Sequence, residues 1–213
     1  MKIAKFERAA GVLMPVSALP SPYGIGCFSR DAENFAEMAA DMGFSWWQVL
    51  PITILGAGNS PYSGSSAHAG NFLFINPHSL AEEGLLTQEE AERAKYGGQP
   101  YKVDYAFARE NMTGVLRTAF GRINPEIGKK IAEFADKESY WLDDYALFMA
   151  LAGRYGFDWT KWEKGLAFRD PEALAAARKE FAAEIDYYVF EQYEFYRQWY
   201  ELKAKVNARG VRI

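Results

Sequence analysis

The spacing of hydrophobic positions changes along the chain, and each change marks an element. Ala10 to Val16, AGVLMPV, is a short continuous apolar run of the kind a buried strand makes. SALPSPYGIGCFS follows, broken by two prolines and two glycines, and reads as a long loop. Phe35, Met38, Ala39 and Met42 then recur at helical spacing. Ser29 is placed to cap that helix, Asp31 to favour its first turn and Gly43 to stop it. Trp46 to Ile52 is a second apolar run. The order strand, long loop, helix, strand predicts a βαβ unit with parallel pairing and a right-handed crossover. Phe72 to Ile75 has the length and composition of one more short strand.

From there to about Asn207 the pattern is nearly all helical. Thr87 and Glu90 form a capping box, with Gly97 expected to close its helix, and another helix is predicted over Tyr105 to Phe120. Asn124-Pro125 and Asp170-Pro171 each place a cap before a proline, as at a helix start. YWLDDYALFMALA, 140–152, predicts a helix buried on most sides. Phe181, Ile185, Val189, Tyr196, Trp199, Leu202 and Val206 form one stripe of a long final helix. Gly210 then reads as a stop, and Val211-Arg212-Ile213 as the first residues of a third strand. A strand broken off after three residues leads us to expect a piece of a longer protein.

Composition narrows the classes of function. The net charge of -4 argues against a nucleic-acid surface, which needs clustered Lys and Arg, and gives no pull toward an anionic membrane. No run reaches the ~18 apolar residues of a membrane helix. Lys2, Lys5 and Arg8 ahead of AAGVLMPV loosely mimic a secretory signal, but Glu7 interrupts the basic region and Pro15 breaks the run. With Cys27 the single cysteine, no intrachain disulfide forms, which suits a reducing, cytoplasmic location. A metal site would lean on His68 and His78, too few by themselves, so ordinary loop histidines are the better reading. Aromatic residues make up 16% of the chain; core packing accounts for most, and sugar stacking is the sharper use for the rest.

The chemistry-bearing motifs are few. Gly24-Ile25-Gly26 resembles part of a dinucleotide fingerprint. The third glycine is missing, the loop is too long for the tight turn, and Pro51 and Ile52 stand where an acidic residue is needed. These glycines are better read as letting the loop bend close to the sheet. Serines 60, 63, 65 and 66 lack a G-x-S-x-G elbow. Asp143 and Asp144 are adjacent on a helix and face different ways, and Asp104 is placed to cap one. We find no acid/base pair.

AGNSPYSGSSAHAGN, 57–71, is the informative loop. It follows a predicted parallel strand, where α/β folds place their ligands. Small residues let a ligand reach the backbone, hydroxyls and Asn71 supply donors and acceptors, and Tyr62 supplies a stacking face with a polar tip. Two readings stand side by side: a sugar-binding loop, or a glycine-rich surface loop with one packed tyrosine.

RAAGVLMPVSALPSPYGIGCFS at 8–29, SWWQVLPI at 45–52, GNSPYSGSSAHAGNFLFI at 58–75 and YWLDDYALFMAL at 140–151 together resemble the 4-α-glucanotransferases (amylomaltases, disproportionating enzymes) of glycoside hydrolase family 77. The tail FYRQWYELKAKVNARGVRI matches as well. The resemblance implies an α/β fold of the (β/α)8 barrel family, with only the first two to three strands present and a large helical insertion. The implied division is 1–75 for the first strands and the sugar loop, 76–180 for the insertion, and 181–213 for a long helix leading into a truncated third strand. It implies retaining transfer of α-1,4-glucan segments between maltooligosaccharides or starch chains through a covalent glycosyl-enzyme, without metal or cofactor. The family's carboxylates lie on later strands, so no catalytic residue carries over, and the chain alone is expected to be inactive and either poorly folded or completed by a partner. A C-terminal portion of the barrel is then an expected partner. What carries over is substrate contact: Tyr62 as a wall of the donor sugar site and Ser60 touching the glucan. Ala57 stands where many members have tyrosine, which removes any glucan contact made there, and His68 and Phe72 depart from the usual SAFAGNP. The alternative is a non-catalytic α-glucan-binding module, which would bind maltooligosaccharide unaided.

Overall fold

Strands β1 (Gly11–Leu13) and β2 (Trp46–Gln48) pair in parallel, with Gly11 opposite Trp46 and Leu13 opposite Gln48, in a computed structural model that describes residues 8–99 and 101–213. Both are shorter than the apolar runs that predicted them. Pro15 and Pro51 lack the N–H a ladder needs. After the Met14 N–H donates to the Gln48 carbonyl at 3.0 Å, the chain leaves the sheet for a 3₁₀ turn at Val16–Ala18. Arg212 meets the other side of β2: the Trp47 N–H donates to its carbonyl at 2.7 Å, and its own N–H donates to Ser45 at 2.9 Å. Lys2 and Lys5, weighed above as a secretory signal, lie outside the described residues.

Helix α1 (Arg30–Asp41) covers one face of this small sheet. The Ser29 hydroxyl accepts the Asp31 N–H at 3.3 Å, and Gly43 ends the helix at φ +82°. Ala32, Phe35, Ala36 and Ala39 are its buried residues, and the Phe35 ring meets Trp47 edge-on at 5.0 Å. Met38 and Met42, grouped with that stripe by their spacing, are exposed. Gly26 bends the preceding loop so close that a Cβ there would sit 1.9 Å from the Val16 carbonyl, in line with the packing role read for it.

The remaining helices are α2 (Pro77–Glu82), α3 (Gln88–Arg93), α4 (Tyr105–Phe120), α5 (Pro125–Tyr155), α6 (Lys164–Ala167), α7 (Pro171–Glu180) and α8 (Ala182–Ala208). Their predicted caps are present. Thr87 and Glu90 close the capping box at 3.1 and 2.8 Å, Asn124 accepts from Ile127 at 2.9 Å, and Asp170 accepts from Glu172 and Ala173. The apolar segment 140–152 is the second half of α5, with Asp143 and Asp144 exposed and most of its other side chains buried. Two expectations fail. Phe72–Phe74 is a 3₁₀ turn, because the Asn71 side chain caps it from Leu73 at 3.2 Å and Phe72, Leu73, Phe74 and Ile75 are all buried in the core. Helix α3 ends at Arg93 with Ala94 as its C-cap, short of Gly97, and the Tyr96 N–H bonds instead to the Pro22 carbonyl at 2.7 Å.

Helix α8 runs through the centre of the molecule. Tyr187, Phe190, Phe195, Leu202 and Val206 share one core with Trp47, Leu73, Met112 and Val211. Burial reaches beyond the predicted stripe to the polar residues Glu191, Gln192, Glu194 and Gln198. The sheet's second face is open: Leu13 is 52% and Trp46 43% exposed, whereas Trp47 and Val211 opposite are fully buried. Parallel strands are ordinarily covered on both faces. Among the described residues no helix is long and apolar enough to cross a membrane.

Candidate functional site

The chain leaves β2 and returns on itself. Thr53 and Gly70 form an antiparallel bridge, the Ile54 N–H donates to Ala69 at 2.8 Å, and the Asn71 N–H donates to Ile52 at 2.9 Å. This closes the base of the loop that carries Tyr62. Helix α8 grips the base from behind. Gln192 accepts from the Gly70 N–H at 2.7 Å and donates to its carbonyl at 3.1 Å, and the Tyr196 hydroxyl donates to the His68 carbonyl at 2.5 Å. A Cβ at Gly70 would lie 2.0 Å from Phe195 Cδ1, so only glycine fits.

At the tip, Ser60 to Ser63 make a turn. The Ser63 N–H donates to the Ser60 carbonyl at 3.3 Å, and the Ser60 hydroxyl accepts the Tyr62 N–H at 3.3 Å. Ser60 and Tyr62 are therefore held together, and the Tyr62 ring is 74% exposed. The turn is entered through Gly58 and Asn59, both at positive φ, +74° and +57°. Arg109 on α4 donates to the Asn59 side-chain oxygen at 2.9 Å. Beneath the tip lies a cleft of about 20 Å³ lined by Ser17, Pro51, Asn59, Pro61 and Tyr105. That volume holds about one water, too little to enclose a sugar ring.

Part of the loop's small-residue content serves the protein rather than a ligand. A Cβ at Gly64 would sit 2.6 Å from the Ile54 carbonyl, and Gly70 meets Phe195. Asn71, read above as a ligand donor or acceptor, is buried and spends its oxygen on the turn at Leu73. His68 stacks on Trp141 at 5.7 Å and meets Tyr140 edge-on, while His78 lies 3.3 Å from Glu92, so the two histidines have different neighbours. Among the described residues no group of three or more His, Cys, Asp or Glu gathers as metal ligands would. Cys27 is buried, and burial pushes its thiol up to about 11, away from nucleophilic use.

The carboxylates stand in other roles. Asp104 accepts from the Phe107 N–H at 3.0 Å as the cap of α4, and the exposed Asp144 pairs with Arg169 at 2.8 Å. Two buried acids were invisible to periodicity. Burial pushes Glu191 up to about 8. Burial also raises Glu194, which shares Arg197 with Glu83 and Glu201. Both are packed inside α8, in the helical layer. Arg109 and Gln192 were missed as well, since the groups they bind lie 50 and 122 residues away.

The profile of glycoside hydrolase family 77, 4-alpha-glucanotransferase, matches residues 14–213. A 4-alpha-glucanotransferase of Aquifex aeolicus is 39% identical over 208 residues, covering 97% of this chain and 42% of the relative. That of Thermus thermophilus is 38% identical over 214 residues, covering 98% of this chain and 42% of its own length. The amylomaltase from Streptococcus agalactiae in complex with acarbose has the same fold, with a TM-score of 0.91 at 35% identity over 96% of this chain and 42% of that one. The chain thus spans 42% of the length of these relatives. On this sequence match and this shared fold, the chain belongs to the 4-α-glucanotransferase family.

Proposed function

We propose that the chain supplies one side of the sugar site of a 4-α-glucanotransferase, which passes α-1,4-glucan segments between maltooligosaccharides or starch chains. One observation carries this reading. In a member of this family, a tight turn beyond a parallel strand presents the exposed ring of Tyr62 beside the Ser60 hydroxyl. A pyranose stacks on such a ring, and the hydroxyls of Tyr62 and Ser60 bond its oxygens. The acarbose held by the S. agalactiae amylomaltase supports an oligosaccharide as the ligand.

In the retaining reaction a carboxylate attacks the anomeric carbon while an acid protonates the departing 4-oxygen. The acceptor's 4-hydroxyl then displaces the carboxylate and returns its proton. The share of this chain is to stack and orient the donor sugar, while Asp104 caps a helix, Asp144 pairs with an arginine and Glu191 and Glu194 lie buried in α8. The open sheet face at Leu13 and Trp46 is where we place the remaining strands of a (β/α)8 barrel, with β1, β2 and the Arg212 segment as its beginning. Residues 1–75, 76–180 and 181–213 then serve as first strands with sugar loop, helical insertion, and return helix with third strand.

The test is maltotriose disproportionation, run with the chain alone and with a chimaera in which it replaces the matching segment of the A. aeolicus enzyme. We expect no glucose above background from the chain and clear release from the chimaera, lost with Tyr62→Ala. Release by the chain alone would refute its inactivity. Chimaera activity indifferent to Tyr62→Ala would refute the sugar wall. Maltooligosaccharide binding by the chain alone, read by tryptophan fluorescence, would favour the binding-module reading.

A further inference from the structure

We propose that Arg109 is a positioning residue for the Ser60–Tyr62 turn, acting through Asn59; the proposal rests on the sugar-wall reading of that turn. Asn59 immediately precedes Ser60 and adopts φ +57°, a left-handed conformation uncommon outside glycine and best tolerated by asparagine, so the setting of the turn depends on what fixes that side chain. The Arg109 guanidinium supplies the hold, donating to the Asn59 side-chain oxygen at 2.9 Å from a partly buried position. Among the described residues Arg109 has no carboxylate within salt-bridge distance, so its charge is directed to that oxygen.

The helix presenting Arg109 is itself keyed to the first loop. The Asp104 N–H donates to the Gly24 carbonyl at 2.9 Å, and its carboxylate accepts from the Phe107 N–H at 3.0 Å and the Tyr96 hydroxyl at 3.1 Å. Tyr105, one turn before Arg109 on the same face, lines the narrow cleft with Asn59 and Pro61. One face of α4 thus lies under the turn and ties it down, and the loops after β1 and β2 are registered to each other through that helix.

The experiment is millisecond hydrogen exchange on the 213-residue chain, following the amides of Asn59, Tyr62 and Ser63, with Ala32 and Trp47 as references. Arg109→Ala should speed exchange at the three tip amides about 10-fold, the loss of one charge-assisted bond, and leave the references unchanged. Arg109→Lys should restore part of the protection. The double variant Arg109→Ala, Asn59→Ala should exchange no faster than the faster single variant. Unchanged tip exchange in Arg109→Ala, equal loosening of the references, or additive effects would each overturn the proposal. No sugar is present, so this outcome is separate from the failure of Tyr62→Ala to alter transfer.

Discussion

Glu191 offers a sharp test of how the helical layer is built. It is 3% exposed in α8, and burial pushes its carboxyl to about 8 from an ordinary 4.5. The folded chain therefore holds a proton at neutral pH that the unfolded chain has released. Because the folded value is the higher one, the stabilisation is complete below pH 4.5 and is lost as pH rises through about 8. Each unit in that interval removes about 1.4 kcal/mol, so the rise from pH 5 to pH 8 removes about 4 kcal/mol. Glu191→Gln keeps the shape and has no proton to lose. It also retains an oxygen for the Gln192 amide, which donates at 3.4 Å. We expect the variant to be more stable than the parent at pH 8, and its stability to fall less steeply between pH 5 and pH 8. Urea unfolding followed by circular dichroism at each unit of pH measures this. The difference between the two proteins isolates Glu191, since Glu194 and every other acid contribute to both. Parallel profiles would refute the reasoning and show that the Glu191 carboxyl ionises in the fold at little cost.

Three further outcomes follow from particular contacts. Tyr62→Ala should change stability by less than about 0.5 kcal/mol, because the ring is exposed, while lowering transfer by the chimaera at least about tenfold. Gly70→Ala should destabilise by about 3 kcal/mol and lower the thermal midpoint by about 10 °C, since the new methyl meets Phe195 at 2.0 Å; an unchanged scan would show that Phe195 can move aside. Asn124→Ala should cost about 1 kcal/mol in urea unfolding through loss of the α5 cap, and Asn124→Asp should recover most of it.

The elements legible in the sequence are those whose deciding contacts are short-range. Ser29, Thr87, Asp104, Asn124 and Asp170 cap their helices through bonds to residues two or three positions on, so a local pattern names both partners. The βαβ order was legible too, because the spacing of Phe35 and Ala39 against the runs around Val12 and Trp47 shows a helix between two strands. Phe72–Ile75 was not legible, since a short apolar run looks alike in a strand and in a buried turn, and the Asn71 cap chose the turn. The site divides in the same way. Tyr62 stands out as one aromatic in a loop of small residues, a feature of the sequence alone, whereas Ser60 is named by the family resemblance. Tertiary structure decided that Gly70 must be glycine, that Gln192 belongs inside, and that Arg109 reaches Asn59. Those choices depend on residues 50 to 125 positions apart meeting as α4 and α8 pack against the β2 loop. Near-neighbour bonds are encoded by residue type and spacing, whereas a distant pair has no partner until layers pack and expel water between them.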